Sequence, residues 1–159
     1  LSPEADQFLR DIGKEIWTYV CEGSLENLHP YSYYRLLAWK TWAKGYTGFG
    51  FCWTTYGIEF KSPRNNQYSH WYYGREGPVP SRGWQGFWRG TRDWAYLQTL
   101  REAIAAARQA GKDEAAAAAE DLLQQAAADV VAHPDDPALA DTWRVRLLER
   151  ISELAPAPE

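Results

Sequence analysis

Four side chains near the ends of two short apolar segments have the chemistry of a sugar-binding site. Glu22 follows the first segment, and Trp53, Tyr56 and Glu59 lie at or just beyond the end of the second. Carboxylates accept hydrogen bonds from hydroxyl groups, and large aromatic rings offer an apolar face on which a sugar ring can stack. Glu22, Trp53 and Tyr56 therefore predict a carbohydrate site, with equal weight given to a solvated acidic loop beside two core aromatics. Glu59 could add a hydrogen bond to a sugar, but a turn residue is the favoured interpretation there.

The elements around these residues are expected to bring them to one edge of a sheet. Residues 15–21 are rich in β-branched and aromatic side chains and predict a strand, and residues 48–54 predict a second, buried one. Residues 31–44 between them have helical spacing. Strand, helix and strand in this order form a parallel crossover unit. Ligands of such folds lie at the carboxyl ends of the strands, where Glu22 and Trp53 are expected.

Helices are predicted on both sides of this unit. Residues 3–13 predict a short helix with Ser2 as its N-cap. Three longer helices are predicted further along the chain, over 84–111, 113–132 and 137–154. Residues 57–80 predict a long loop with at most a short strand. The aromatic residues 68–73 within it are expected to pack over an edge of the sheet.

Composition divides the chain near residue 97. Of the 24 aromatic residues, all but Phe8 and Trp143 lie between Trp17 and Tyr96, and helix-favouring residues follow. We therefore predict an α/β segment over 1–97 and a helical segment over 98–159 packed on it. The net charge of −4 argues against a general nucleic-acid binder. No apolar segment is long enough to span a bilayer.

Neither a metal nor a cofactor is predicted from the sequence. The three histidines lack ligand spacing, and no glycine-rich nucleotide-binding motif is present. Cys21 and Cys52 are the only cysteines. Two buried thiols are the favoured interpretation, and a single disulfide bond between them stays open.

A row of large aromatics is expected along the helix over 84–111. Its members recur at helical intervals: Trp84, Phe87, Trp88, Trp94 and Leu97. Asp93 lies four residues from Arg89, so the two predict either a weak surface ion pair or a structural pair if they are buried beside the tryptophans. We favour the structural pair.

The same region carries a resemblance to a known family. Residues 77–82 (Gly-Pro-Val-Pro-Ser-Arg) and 90–97 (Gly-Thr-Arg-Asp-Trp-Ala-Tyr-Leu), with weaker support from residues 17–21, 34–39 and 48–53, resemble the C-terminal part of glycoside hydrolase family 123 and the related domain of unknown function 4091. The likeness spans residues 12–155. The chain departs from the family pattern at Gly83, Trp88, Arg89 and Ala95, where relatives carry mostly charged residues.

The resemblance implies the C-terminal part of a (β/α)8 barrel, comprising its last two strands and helices followed by a helical tail. The alternative fold is a small α+β domain completed by a partner chain. Family 123 acts on N-acetylgalactosaminides, with the acetamido group of the substrate as nucleophile and an Asp-Glu pair on a mid-barrel strand. That strand is expected upstream of Leu1, so no catalytic residue is carried over. Glu22, Trp53 and Tyr56 are carried over as walls of the substrate subsites.

The function expected from this resemblance is the C-terminal part of a glycoside hydrolase, with N-acetylhexosaminides as one substrate class. The chain alone is expected to be inactive, and its partners are a carbohydrate and the remaining barrel, either upstream or on another chain. No nucleic acid or membrane partner is predicted, and a secreted or periplasmic location is favoured. Two alternatives stay open: a non-catalytic carbohydrate-binding or assembly module, and an enzyme in which Glu22 is the nucleophile.

Overall fold

The computed structural model describes residues 2–20, 28–51 and 70–155, apart from the side chain of Tyr73. This part of the chain is mixed α/β and mostly helical. Its elements, in chain order, are α1 (Pro3–Asp11), β1 (Trp17–Val20), a π-helix (Pro30–Arg35), α2 (Leu36–Ala43), β2 (Gly48–Phe51), β3 (Trp71–Gly74), β4 (Gly77–Pro80), α3 (Arg82–Gln109), α4 (Asp113–Ala132) and α5 (Leu139–Leu154).

The predicted parallel crossover unit is confirmed. β1 and β2 pair in parallel, with Trp17 opposite Gly48 and Val20 opposite Phe51. The helical connection between them is the π-helix followed directly by α2. Among the described residues this sheet has two strands.

The crossover helix differs from the prediction at its beginning. It starts at Pro30 with six residues of π-helix, and the His29 ring nitrogen accepts hydrogen bonds from the first backbone amides. It ends as predicted before Gly45, whose φ of 69° is one that glycine adopts without strain. Short π segments are frequent at functional sites, and this one ends on Arg35.

The residues that α3 buries are not the predicted row of aromatics. They recur in alternating steps of four and three residues: Gly86, Gly90, Asp93, Leu97, Leu100, Ile104 and Ala107. Leu97 alone belongs to both sets, and Trp88 is 50% exposed. The predicted aromatic row lies beside this buried face, where Phe87 and Trp94 pack against Phe49 of β2 and Trp84 packs against Trp71 of β3.

Two glycines explain why small residues occupy the centre of this face. A Cβ on Gly86 would lie 2.2 Å from the carbonyl oxygen of Pro30, and one on Gly90 would lie 2.7 Å from that of Arg35. The backbone of α3 thus approaches the backbone of the π-helix directly. Such an approach leaves no space for aromatic rings between the two helices.

Helices α4 and α5 pack on α3, and α4 also packs on α2. The core between these helices is mainly aliphatic and includes Leu100, Ile104, Leu123, Val130 and Leu147. The indole nitrogen of Trp143 donates to a carboxylate oxygen of Asp129 at 2.7 Å, which joins α5 to α4. α3 runs without a break through residue 97, and the division of the chain there stays a prediction.

A second small sheet occupies part of the segment predicted as loop. β3 and β4 form an antiparallel hairpin, with Trp71 opposite Pro80 and Gly74 opposite Gly77. Two prolines in β4 pointed to a loop, but proline is tolerated on edge strands. The prediction therefore missed the second strand of the pair. Residues 57–69 lie outside the described residues.

Candidate functional site

The carboxyl ends of β1 and β2 lie side by side, because Val20 pairs with Phe51. The four predicted site residues follow these ends in the sequence and lie outside the described residues: Glu22, Trp53, Tyr56 and Glu59. Cys21 and Cys52 also lie outside them. The structure shows that β1 and β2 end side by side, directly before the two parts of the sequence that contain these residues. The role of the four residues stays a prediction.

One face of the parallel sheet is open and aromatic. The register places Trp17 and Tyr19 on the same face as Gly48 and Gly50. Trp17 and Tyr19 are 70% and 69% exposed. The indole of Trp17 lies over Gly48, where an added Cβ would come within 2.5 Å of the ring. On this face, β1 therefore presents two large aromatic rings, and β2 presents only glycines.

The opposite face of the sheet is covered by aromatic residues of α3. Phe49 contacts Phe87 and Trp94 with ring centroids 5.7 Å and 5.2 Å apart, and Phe51 contacts Phe87 at 5.0 Å. Two of these three pairs, Phe49–Phe87 and Phe51–Phe87, have the edge-to-face arrangement that aromatic rings favour. The aromatic row of α3 thus packs against the sheet, beside the buried small-residue face of the same helix.

The aromatic residues of the hairpin extend this packing. His70 is 2% exposed, and its ring lies 5.3 Å from Phe51 and 6.2 Å from Trp84. Trp71 lies 4.5 Å from Trp84. The expected packing against the sheet is confirmed for His70. Trp71 packs on α3, and Tyr68 lies outside the described residues.

A buried ion pair links α3 to the π-helix. The Nε of Arg35 donates to one carboxylate oxygen of Asp93 at 2.6 Å, and its Nη2 donates to the other at 3.1 Å. The indole nitrogen of Trp39 donates to the same carboxylate at 3.0 Å. Arg35 is 2% exposed and Asp93 is fully buried. Asp93 therefore forms the structural pair that we favoured, but with Arg35 and not with Arg89.

Helix α5 joins this pair from outside. Asp141 accepts hydrogen bonds from Arg35 and from Arg144, each at 2.8 Å, and Arg144 also lies 3.5 Å from Asp93. Burial disfavours the charge of Arg35, but its two carboxylate partners outweigh this and raise its pKa. Burial likewise disfavours the charge of Asp141, yet the hydrogen bond from Arg35 lowers its pKa. Two arginines and two aspartates thus fix the π-helix, α3 and α5 to one another.

Two sequence signals for this network were overlooked. Arg35 is a lone charge within the apolar segment 31–39, and Asp93 falls on the four-and-three spacing of the small and aliphatic residues in α3. A charge on a buried face requires an opposite charge on the element that covers it. Those two patterns together predict the pair.

Within residues 2–20, 28–51 and 70–155, no group of three or more histidine, cysteine or acidic residues is arranged to hold a metal ion. In the same part of the chain, none of the helices combines the length and apolarity that a membrane span requires. No protein-family model, curated protein or solved structure matches this chain.

Proposed function

We propose that this chain is the C-terminal part of a (β/α)8-barrel glycoside hydrolase acting on glycans, with N-acetylhexosaminides as the substrate class. In this proposal it contributes walls of the substrate subsites, and the catalytic carboxylates belong to other strands of the barrel. The observation that carries the proposal is the parallel sheet with one face covered by helices and the other open and aromatic.

A barrel accounts for the difference between the two faces. Parallel sheets occur almost only with both faces covered. In a (β/α)8 barrel the helices cover the outer face, and side chains from alternate strands fill the interior. Phe49 and Phe51 would then face the outer helices, and Trp17 and Tyr19 would point into the interior. The bare strip at Gly48 leaves space for such large interior rings.

Catalysis by this chain alone has no support among the described residues. Glycosidases use two carboxylates flanking the bond that is cleaved, or one with help from the substrate. Neither β1 nor β2 contains an acid, and Asp93 is buried in its network with Arg35. A supporting role in binding is therefore the better proposal, with Glu22, Trp53 and Tyr56 as the residues at the strand ends.

The proposed subsites are tested by substitutions in the natural protein, meaning the full-length gene product of the source organism. The substrate is an aryl N-acetylhexosaminide. We expect Trp53→Ala to raise KM by about tenfold and to change kcat little, since stacking supports ground state and transition state alike. The matched control is Trp88→Ala, which removes a half-exposed tryptophan of α3 that stacks with Arg92. Equal effects of the two substitutions, or no hydrolysis by the natural protein, would overturn the proposal.

The alternative role of Glu22 is decided by the same assay. As a subsite wall, Glu22→Gln keeps most of the turnover and weakens binding. As the nucleophile, it abolishes hydrolysis. Loss of turnover with unchanged substrate binding would therefore show that Glu22 is a catalytic residue and not a subsite wall.

The open sheet face is tested by Trp17→Asp. Within a barrel this places an unpaired charge in the interior, so we expect the natural protein to lose folding or assembly. In the isolated chain the same side chain is 70% exposed, so stability should change little. A natural protein that tolerates Trp17→Asp without loss of stability would exclude the barrel.

A second candidate function is a non-catalytic carbohydrate-binding module. It is favoured by the placement of Trp17 and Tyr19, which are two residues apart on one strand and therefore stand roughly 7 Å from each other on the open face. Two exposed rings at this spacing suit stacking of consecutive sugar units. Glycan binding by the isolated chain that is lost in Tyr19→Ala would support this function over the barrel.

A further inference from the structure

A cleft of about 280 Å³ between the π-helix and the beginning of α3 carries an excess of arginines. Arg35 contributes from the π-helix, and Arg82, Gln85 and Arg89 contribute from one face of α3, since they are three, four and seven residues apart. Gly86 lies on this same face and has no side chain to fill the space. Pro137, before α5, closes one side.

Arg35 is fixed in this cleft with part of its guanidinium unused. Its Nε and Nη2 bind Asp93 and Asp141, whereas its Nη1 makes no hydrogen bond to any residue of the described part. The side chain is 2% exposed and its guanidinium lies 5.9 Å from the ring centre of Tyr31. A rigid, buried cation that lines a cleft with one nitrogen free is an observation independent of the surface arginines.

The charges around the cleft leave it positive. Arg35 and Arg144 are balanced by Asp93 and Asp141. Arg82 and Arg89 form no ion pair with the described residues, although the field of Arg89 reaches Asp141 and helps to lower its pKa.

One further carboxylate is close to the cleft. Asp136 lies near enough to help raise the pKa of Tyr31, while its Oδ1 accepts a hydrogen bond from the amide of Ala138. It offsets one of the two unpaired arginines. The beginning of α3, capped by Ser81, adds the partial positive charge of a helix N-terminus.

We propose that this cleft binds an oxyanion group, namely a phosphate, sulfate or carboxylate, between Arg35, Arg82 and Arg89. Guanidinium groups present planar pairs of donors that match the oxygens of such groups, and arginine is preferred wherever they are recognised. The cleft is large enough for the group to be free or to be carried on a sugar. The proposal stands on the arginines and the cleft, and it does not require the chain to belong to a hydrolase.

The test is isothermal titration of the chain with inorganic phosphate, inorganic sulfate, N-acetylgalactosamine 6-sulfate and uncharged N-acetylgalactosamine, at constant ionic strength set with chloride. We expect the double variant Arg82→Gln/Arg89→Gln to lower affinity for the anionic probes by at least about tenfold. Both side chains are exposed, so these variants should fold. Arg35 is left unchanged because its loss would disturb the core.

The matched control is Arg92→Gln, which removes one positive charge from the same helix outside the cleft, where Arg92 stacks on Trp88 at 4.9 Å. We expect it to leave affinity unchanged. Equal binding of inorganic and sugar-borne anions supports a site for the free ion, and selective binding of the sugar sulfate supports an anionic glycan. The proposal is overturned if no anionic probe binds the unsubstituted chain, or if Arg92→Gln weakens binding as much as the double variant does.

Discussion

Substitution of Asp93 by asparagine tests how the helices are held together. Asparagine keeps the shape of the side chain but removes the charge that neutralises Arg35. Four hydrogen bonds end on this carboxylate: two from Arg35 and one from Trp39 at 2.6 to 3.1 Å, and a longer one from Arg144 at 3.5 Å. The substitution therefore leaves a buried guanidinium with Asp141 as its sole remaining carboxylate.

The expected cost follows from burial. Breaking a buried ion pair by removing one partner costs about 3–5 kcal/mol, because the remaining charge stays out of water. Asp141 is 41% exposed and still neutralises part of the charge of Arg35, so the lower end of that range applies. We expect Asp93→Asn to lower the free energy of unfolding by about 3 kcal/mol. Asp141→Asn should cost less, about 1 kcal/mol, since Asp141 itself is 41% exposed and Arg35 keeps its buried bonds to Asp93.

Urea unfolding followed by circular dichroism measures both values, with the unfolding midpoint shifted and the slope unchanged. The double variant Arg35→Met/Asp93→Leu is the informative comparison, because apolar replacement of both partners restores a neutral core. It should be more stable than Asp93→Asn alone. A loss below about 1 kcal/mol for Asp93→Asn would show that the pair is hydrated and that the buried network does not hold these helices.

Three further predictions concern other parts of the fold. Gly86→Ala should lower the free energy of unfolding, because the added Cβ would lie 2.2 Å from a backbone oxygen. This loss is expected although alanine favours a helix over glycine by about 1 kcal/mol. Ala95→Gly, at an exposed position of α3, measures that helix propensity in the same urea assay. Burial raises the pKa of Tyr31 to about 12 in the folded chain, against about 10 in the unfolded chain. The stability that the buried, protonated Tyr31 contributes is therefore complete below pH about 10 and is lost as pH rises through about 12. Tyrosinate absorbance measured during alkaline unfolding tests this. Tyr46→Phe removes the hydrogen bond that lowers the pKa of Asp6, so an NMR titration should find that pKa higher; an unchanged value would exclude the bond.

Local signals in the sequence were sufficient for most of the secondary structure. Ser2 caps α1 through its hydroxyl, and Gly13 follows the helix with a φ of 63°. β-branched and aromatic residues marked β1, and their separation from β2 by one helix predicted the parallel pairing. Each of these features depends on residues close together in the chain, which is why pattern and propensity could find them.

The errors arose where contacts between distant residues decide the outcome. Helical spacing could not show which of two adjacent faces of α3 approaches the π-helix, since this depends on contacts of Gly86 and Gly90 with residues more than 50 positions earlier. Asp93 was assigned to Arg89 for the same reason, because a partner four residues away is visible in the sequence and one on another helix is not.

The alternation of glycine and phenylalanine in β2 joins the fold to the proposed function. Side chains of a strand alternate between its two faces, so Phe49 and Phe51 fill the face toward α3 and the glycines leave the other face bare. A strand buried to the same degree on both faces has no need of such alternation. The two glycines beside Trp17 fit either of two arrangements. In a barrel, the Trp17 ring fills the interior over these glycines. In a binding module, the exposed ring is a surface on which a sugar stacks. Both depend on the absence of a side chain at Gly48, and Trp17→Asp in the natural protein separates them, because only the crowded interior cannot accept the charge.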